Sequence, residues 1–271
     1  MRIDVGACSD AGRKNTHNED SYRVVREMGL FVVSDGIGGQ AKGEAASEIT
    51  VEAVTKHCSQ TDSAAPSAIR ELRPGLSART NQLASAVRWA NRRIRAAASR
   101  DSAYLGMGAT VVAAWLNDEQ LSVVSVGDSR AYLFRAGALR QLTNDHSLAA
   151  ERARRGFTTK QEAELSPSQN VLLRALGTDD KVHPDADEVA LQLGDIVVLC
   201  TDGLTHMVTD SELSGVLSAF ESAQIATDRL IDLANSHGGK DNITVVVLRI
   251  ESDANGLMQW VRRRLHPEGV N

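Results

Sequence analysis

The sequence predicts an α+β fold in which antiparallel β-sheets stack on one another and helices cover them from outside. Short apolar runs rich in Val, Ile and Leu recur along the chain, and several are only two to four residues apart. Links of that length join antiparallel neighbours, because a parallel pair needs a long crossover. Helical stretches come in pairs between groups of strands, an order typical of layered sheets with external helices. With 42% hydrophobic residues among 271, the chain can bury a substantial core as one large domain.

The strand predictions follow the β-branched and aliphatic runs in chain order. They cover Ile3–Cys8, Ser21–Arg26, Leu30–Ser34, Ala109–Leu116, Gln120–Val126, Ala131–Arg135, Asp195–Thr201 and Asn242–Ile250. The Asn117–Asp118 dipeptide, which separates the fourth run from the fifth, is a hairpin signal. Helical patterns cover Ala41–Cys58, Ser77–Ser99, Asp210–Ala219 and Ala223–Ser236.

Three stretches fall outside these patterns. Residues 59–75 are rich in Ser, Ala and Pro and are expected to form a mobile surface connection between the first two helices. From Asp145 to Asp187 the sequence is polar, irregular and short in strands, so we expect an excursion beside the sheets. We expect the domain to occupy residues 1–251 and residues 252–271 to form a short C-terminal tail, which could be an amphipathic helix.

Composition excludes several classes of protein. The net charge is −5, from 35 acidic and 30 basic residues, whereas nucleic-acid binding needs a surplus of basic residues. Cys8, Cys58 and Cys200 are far apart and form no CxxC pair, so neither a disulfide framework nor a zinc knuckle is indicated. The N-terminal residues lack the apolar core of a signal peptide, and no run approaches about 18 apolar residues. These features predict a soluble cytoplasmic protein without membrane or nucleic-acid partners.

The most informative feature is the position of the acidic residues relative to the predicted strands. Three apolar runs lead directly into an aspartate, at Asp35, Asp128 and Asp202. Two other acidic positions, Glu19–Asp20 and Asp241, stand just before strands. In an antiparallel sheet the end of one strand lies beside the start of its neighbour, so both groups can meet at one rim. A single Asp-Gly after a strand is usually only a turn, but this repeated arrangement favours a functional site.

Such a collection of carboxylates predicts bound metal ions. Five or six carboxylates in one cleft repel one another, which raises their pKa values and opposes folding unless cations neutralise them. An all-oxygen set without a nearby Cys or a paired His favours Mg²⁺ or Mn²⁺ over zinc. Two such ions about 3.5–4 Å apart are suited to in-line displacement at phosphorus.

Two other chemistries fit the sequence poorly. A cysteine-dependent phosphatase needs an Arg six positions after its thiolate, but Cys8 is followed at that distance by Lys14, and the other cysteines also lack such an Arg. Residues 36–41 match the GxGxxA pattern of a dinucleotide-binding turn. However, Asp35 directly before them would place a negative charge near a pyrophosphate, and the expected second strand ending in an acid is missing.

Seven motifs follow one another along the chain: RKNTHNED, VVSDGIGG, GMGATVV, VGDSRAYL, LTNDHS, LCTDGL and GKDNITVVV. In this order they resemble the PPM family of metal-dependent protein serine/threonine phosphatases, the protein phosphatase 2C type, and in particular its bacterial branch. The resemblance spans residues 3–250. It implies a four-layer α-β-β-α sandwich of two antiparallel sheets flanked by helix pairs. It also implies a flap, at about residues 146–187, beside a metal cleft.

The resemblance further implies which residues hold the metals. Asp35 would bridge two Mn²⁺ or Mg²⁺ ions. Asp202 and Asp241 would complete the protein ligands of one ion, while Glu19 and the carbonyl of Gly36 would serve the other.

Three more roles are implied by the same resemblance. Asp20 would stand behind the ligands and hold metal-bound water. Asp128, together with Asp202, would form a weaker third metal position. Arg13 would bind the substrate phosphate, for which a guanidinium is suited because it grips two oxygens and stays charged.

The implied reaction is hydrolysis of phosphoserine and phosphothreonine in protein substrates, opposing a Ser/Thr kinase, by in-line attack of a hydroxide that bridges two metals. One departure concerns the leaving group: animal members carry a His two residues after the bridging Asp, and here Ile37 cannot donate a proton. A metal-bound water or a less assisted departure both stay open. His17 and His146 are candidates for the proton donor by nearness in sequence only, and ordinary loop or capping roles are expected for them.

The alternative function is that of a catalytically weak or inactive relative that binds phosphoproteins as a regulatory module. The presence of all the implied metal ligands favours activity.

Overall fold

The computed structural model describes residues 2–39, 41–60, 73–164, 166, 168 and 170–251. Most of the predicted connection at 59–75 and the whole predicted tail at 252–271 lie outside these residues. In chain order the strands are β1 (Arg2–Asp10), β2 (Asp20–Val25), β3 (Leu30–Ile37), β4 (Gly108–Ala109), β5 (Val111–Asn117), β6 (Gln120–Val126), β7 (Arg130–Arg135), β8 (Ala138–Gln141), β9 (Asp185–Ala190), β10 (Ile196–Cys200) and β11 (Ile243–Glu251). The helices are α1 (Ala41–Ser59), α2 (Ala78–Arg100), α3 (Leu148–Arg154), α4 (Lys160–Glu164), α5 (Asp202–Thr205), α6 (Asp210–Ala219) and α7 (Ala223–Ser236).

The strands form two antiparallel sheets. One has five strands in the order β1-β11-β10-β7-β8. The other has the order β2-β3-β5-β6-β9, and β4 pairs with the end of β3. Because neighbouring strands alternate in direction, each sheet brings strand ends and strand starts to the same edge.

Three separate apolar layers hold the sandwich together. The helices α1 and α2 pack on the outer face of the six-stranded sheet, where Leu83 and Val87 lie in one core with Val32. The two inner faces meet in a second core that contains Phe31 and Leu199. The helices α6 and α7 pack on the outer face of the five-stranded sheet in a third core. This is the predicted four-layer α-β-β-α sandwich, and the fold prediction is confirmed.

Helix starts are fixed by short polar side chains. Thr209 and Glu212 form a reciprocal capping box at the start of α6. Ser77, Ser147 and Ser222 each accept a hydrogen bond from an amide in the first turn of α2, α3 and α7. Such caps satisfy amides that have no partner within the helix.

Each of the eight predicted strands is present, with ends within three residues of the predicted ones, but the described residues contain eleven strands. The predicted run Ala109–Leu116 is interrupted at Thr110, which leaves the ladder to bond Asp35 through its amide and hydroxyl. The edge strands β8 and β9 were not predicted, because their sequences lack a regular apolar period. The irregular region beside the sheets contains the unpredicted short helices α3 and α4.

Two expectations from composition can be compared with the structure. Cys8, Cys58 and Cys200 are free thiols, as predicted, and Cys200 is completely buried. Within the described ranges, none of the helices has the length and the apolar character needed to cross a bilayer.

Candidate metal centre

The first two acids of the site face each other across neighbouring strands. Asp20 at the start of β2 is directly opposite Asp35 near the end of β3. Phe31 and Val33 point into the layer between the sheets, and the two-residue period of a strand puts Asp35 on the same side. This register confirms the prediction that the acid at the end of one strand, Asp35, lies beside the acid at the start of its neighbour, Asp20. Two carboxylates in this position repel each other if both are ionised.

Asp20 also ties the two sheets together at this rim. Its Oδ2 accepts hydrogen bonds from the hydroxyls of Thr201 (2.9 Å) and Thr244 (2.7 Å), which belong to the other sheet. The Thr201 hydroxyl in turn accepts a bond from the amide of Thr244 at 3.0 Å. The second oxygen of Asp20, Oδ1, is buried and has no hydrogen-bond partner among the described residues. Buried carboxylate oxygens normally have a partner, so this atom could accept one from a bound water.

Asp202 enters the same site from the five-stranded sheet. It is the first residue of α5, directly after β10, and its side chain is almost fully buried. Its carboxyl lies close to that of Asp35, and burial together with the Asp202 charge raises the pKa of Asp35. Nδ1 of His206, one helical turn later, lies 3.4 Å from its Oδ2. The ends of β3 and β10, from two different sheets, therefore bring their aspartates into contact.

Asp241 stands at the outer edge of the site and fixes the loop that carries Glu19. Its Oδ1 accepts bonds from the Asn15 side chain and from the amide of Asn242, both at 2.9 Å. The Asn242 side chain accepts a bond from the Glu19 amide at 2.7 Å and donates to the carbonyls of residues 11 and 17. Asn242 was not predicted as a site residue, although it directly follows Asp241 in the motif.

Asp128 lies in the turn between β6 and β7. Gly127 has a φ of 99°, which favours glycine, and an added Cβ would lie 2.7 Å from the Thr110 side chain. The Thr110 hydroxyl accepts a bond from the Asp35 amide at 3.0 Å and bonds the Ser129 hydroxyl at 2.6 Å. Thr110 thus connects the turn of Asp128 to the backbone of Asp35.

Asp20, Asp35, Asp128, Asp202 and Asp241 together are called the acidic cluster. Burial raises the pKa of Asp35 well above its usual range, and the charges of the other four aspartates raise it further. Burial, followed by the charge of Asp202, likewise raises the pKa of Asp128. Burial raises the pKa of Asp20 to about 7, although its two hydroxyl partners lower it. The cluster therefore resists full ionisation when no cation is bound.

One buried cation stands beside the cluster, but its charge is already matched. The Arg130 guanidinium bonds both oxygens of Asp145 at 2.7–3.1 Å and the Tyr132 hydroxyl at 2.9 Å. Its charge lowers the pKa of Asp128 and of Asp202, against the larger effect of burial. Because Asp145 is its ion-pair partner, Arg130 cannot neutralise the cluster.

Glu19 and the carbonyl of Gly36 are neighbours at the start of α1. The Gly36 amide donates to the Glu19 carbonyl at 3.2 Å. A Cβ added to Gly43 would lie 1.8 Å from Oε2 of Glu19 and 2.8 Å from the carbonyl oxygen of Gly36, so both oxygens border the same point. Glycine at 43 is what lets these two oxygens approach the helix. The pair predicted to serve the second metal is thus together.

Arg13, Ile37 and His17 lie on the periphery. The Arg13 amide donates to the carbonyl of Gly239 at 2.7 Å, in the loop before Asp241, and its side chain is exposed. His17 is also exposed, while Ile37 is half-buried at the end of β3. Among the described contacts, the His17 carbonyl accepts a hydrogen bond from Asn242, but none links the His17 side chain to the acidic cluster.

The donor set fits hard divalent cations. The side chains that meet are carboxyls, with one carbonyl nearby, and oxygen ligands suit Mn²⁺ and Mg²⁺. As the side chains stand, no three His, Cys, Asp or Glu residues of the described ranges form a group that could hold a metal ion. Burial and the neighbouring charges raise the pKa values of both Asp35 and Asp202, so their carboxyls oppose each other's ionisation. A divalent cation bound among them would neutralise these carboxylates and remove the mutual repulsion.

The residues that orient the acids were the part missed from the sequence. Thr201, Thr244 and Thr110 hold Asp20 and Asp35 through hydroxyl groups. Thr201 directly precedes Asp202, and Thr244 lies three residues after Asp241. Their positions within the acidic motifs were the available signal, but threonine in a strand is ordinary.

Comparisons with known proteins agree with this geometry. The family model described as "Protein phosphatase 2C" matches residues 9–236. The serine/threonine phosphatase stp of Listeria welshimeri is 37% identical over 243 residues, covering 89% of this chain and 93% of the relative. The crystal structure of the Mycobacterium tuberculosis serine/threonine phosphatase PstP/Ppp superposes with a TM-score of 0.81 at 32% identity, covering 93% of this chain and all of that one. A structure of the PstP catalytic domain in complex with two manganese ions gives a TM-score of 0.78 at 33% identity, over 92% and 99% of the chains.

Proposed function

This chain belongs to the protein phosphatase 2C family, and from that premise we propose how its acidic cluster removes phosphate from phosphoserine and phosphothreonine in proteins. The chain is a metal-dependent protein serine/threonine phosphatase: the family match and the named relatives cover most of its length. The observation that carries the proposal for the site is the meeting of aspartates from two sheets, with pKa values raised by burial and by one another.

We assign two principal metal positions. Asp35 would lie between them, Asp202 and Asp241 would complete the ligands of one, and Glu19 with the Gly36 carbonyl those of the other. The contact between Asp35 and Asp202 and the shared position of the Glu19 and Gly36 oxygens support this division. When bound, divalent ions supply water of lowered pKa and neutralise charge that develops on the phosphoryl oxygens.

The protein's own residues would orient these groups. Asp128 would contribute with Asp202 to a weaker third position, in keeping with the coupling between their charges. Asp20 is held by two hydroxyl groups, and its buried Oδ1, which has no partner within the described ranges, would accept a hydrogen bond from ordered water. Arg13, exposed beside the site, would bind the substrate phosphate through its guanidinium. Ile37 cannot donate a proton to the leaving oxygen, so ordered water is the proposed donor.

Substrates and setting are proposed on the same premise. Phosphorylated proteins are the substrates, and we propose that a Ser/Thr kinase supplies them in the cytoplasm, where the three free thiols would stay reduced. Both Mn²⁺ and Mg²⁺ are proposed cofactors, because both accept an all-oxygen site. We propose a catalytic domain at residues 1–251, with the flap at about 146–187.

The test is removal of one charge at the centre of the cluster. In Asp35→Asn and in Asp202→Asn, Mn²⁺-dependent hydrolysis of para-nitrophenyl phosphate and of a phosphothreonine peptide should fall at least a hundredfold, because a central ligand is lost. Asp187→Asn is the matched control: this exposed side chain on β9 accepts a hydrogen bond from the neighbouring amide of Glu188, which Asn can also do. Full activity in either cluster variant would contradict the metal assignment.

A further inference from the structure

A buried histidine connects the turn of Asp128 to the flap. His146 follows β8 at the start of the flap and is 1% exposed. Its Nδ1 lies 3.1 Å from the amide nitrogen of Gly127, and its own amide donates to the Gly127 carbonyl at 2.9 Å. Gly127 directly precedes Asp128, so the side chain and the backbone of His146 both form hydrogen bonds with the turn that carries this carboxylate.

The contact with Gly127 fixes which ring nitrogen carries the proton. An amide can only donate, so Nδ1 accepts and the neutral ring is protonated on Nε2. Nε2 lies 3.3 Å from Oδ2 of Asp185, to which it donates. Arg174 Nη1 is 3.2 Å from Nε2, but both are donors, so both are held by Asp185 rather than by each other. The pKa of Asp185 is lowered to about 2, and the hydrogen bond from His146 is the largest cause.

The other end of this contact is the returning part of the flap. Arg174 donates to Oδ1 of Asp185 at 2.9 Å and to the carbonyl of His183 at 3.3 Å. The amide of Leu173 donates to the His146 carbonyl at 2.7 Å. The segment 170–176 therefore lies against the backbone of His146, and the Leu173 side chain is 48% exposed.

We propose that His146 is a positioning residue with two separable tasks: Nδ1 sets the Gly127–Asp128 turn, and Nε2 orients Asp185, which in turn holds Arg174 of the flap segment 170–176. The proposal rests on the function proposed above for Asp128 and deepens it. The metal response would depend on Nδ1, and the binding of a protein substrate would depend on Nε2 of the same ring.

Two substitutions at His146 can test these two tasks separately, because each keeps one hydrogen bond and removes the other. In His146→Asn the amide oxygen can stand where Nδ1 stands, but the shorter side chain cannot donate to Asp185. In His146→Gln the amide nitrogen can reach the position of Nε2, but the acceptor for Gly127 is lost. Both remove the ring and differ by one methylene group, so each variant is scored by which of the two segments it loosens rather than by its overall stability.

Amide hydrogen exchange on the metal-free protein gives the first readout. His146→Asn should raise exchange in peptides covering 170–176 by about fivefold and leave 126–130 near wild type, because one hydrogen bond contributes about that factor. His146→Gln should show the opposite pattern. Asp185→Ala, which removes the flap partner without touching the buried ring, should reproduce the His146→Asn pattern even if both ring variants fold poorly.

Kinetics give the second readout. His146→Gln should raise the Mn²⁺ concentration for half-maximal activity about fivefold, with KM for a phosphothreonine peptide unchanged at saturating Mn²⁺. His146→Asn should raise the peptide KM about fivefold and leave the Mn²⁺ response and the KM for para-nitrophenyl phosphate unchanged. His183→Asn and His183→Gln, at an exposed position elsewhere in the flap, are the matched controls and should behave like wild type.

The outcomes are distinguishable. The proposal would be overturned if His146→Asn and His146→Gln raised hydrogen exchange equally in both segments. It would also be overturned if both variants changed the Mn²⁺ response and the peptide KM alike. If Asp35→Asn stayed active while exchange still divided, the proposed metal assignment would fail and the positioning role would stand.

Discussion

Replacing Asp20 with Asn removes a buried carboxyl whose ionisation the metal-free fold resists. The pKa of Asp20 rises from 3.8 to about 7 in the folded protein, first because of burial. An acid with a raised folded pKa costs nothing at low pH, and its cost grows as pH rises from the unfolded to the folded pKa. At 1.36 kcal/mol per pKa unit, this shift lowers the free energy of unfolding by about 4 kcal/mol at pH 8 and by about 2 kcal/mol at pH 5. Asn can keep both threonine hydrogen bonds through its carbonyl oxygen.

The assay is urea unfolding in EDTA at several pH values. Asp20→Asn should be more stable than wild type at pH 8, and this advantage should shrink by about 2–3 kcal/mol at pH 5. Asp118→Asn is the control: this exposed aspartate occupies the β5–β6 turn at the opposite end of the sandwich with a φ of 54°, which Asn also tolerates. An advantage of Asp20→Asn that stays constant from pH 5 to pH 8 would refute the raised pKa.

Three more changes test the surroundings of the cluster. Gly43→Ala places a methyl group 1.8 Å from Oε2 of Glu19, so the carboxylate must move; the Mn²⁺ concentration for half-maximal turnover should rise about tenfold or more. Arg13→Ala should chiefly raise KM for para-nitrophenyl phosphate, since ground-state binding of the phosphate is lost; steady-state kinetics at saturating Mn²⁺ measures it. Asp145→Asn leaves the Arg130 guanidinium buried without its ion-pair partner, which should destabilise the fold by about 3 kcal/mol or more in urea unfolding.

Matched controls separate these effects from general damage. Gly215→Ala, in α6 with open space around the position, should not change the Mn²⁺ response and should slightly stabilise the helix. Arg23→Ala, at an exposed position on β2, should leave KM unchanged. A normal Mn²⁺ response in Gly43→Ala, an unchanged KM in Arg13→Ala, or wild-type stability in Asp145→Asn would each contradict the corresponding assignment.

Elements with local signals were predicted to the residue. The helices α6 and α7 begin after capping residues Thr209 and Ser222, and β6 begins after the turn marked by Asn117–Asp118. The edge strand β9 has the sequence DADEVA and is defined by pairing with β6, a long-range contact that composition does not reveal. The helix α3 was not predicted: the structure shows it capped by Ser147, but its seven residues are too short for a clear apolar period.

The identity of the acids was readable from the sequence, but the way they are held was not. An aspartate at the end of an apolar strand is visible as a pattern, which is how Asp35, Asp128 and Asp202 were found. The hydroxyl groups of Thr201 and Thr244 act on Asp20 across the gap between sheets, with more than 180 residues of chain between partners. Such contacts depend on how the two sheets are stacked, and no local pattern records that.

The acidic cluster also explains why metal binding and stability should be linked in this fold. Burial raises the pKa values of Asp20, Asp35 and Asp128, so ionising them at neutral pH opposes folding. Three apolar layers supply the stability that tolerates this cost. Cations that bind only the folded state add stability in proportion to the logarithm of their concentration, about 2.7 kcal/mol at a hundred times the Kd. Because the same carboxylates carry the repulsion and hold the ions, Mn²⁺ should stabilise wild type more at pH 8 than Asp35→Asn, which keeps the shape of the site but lacks a central charge.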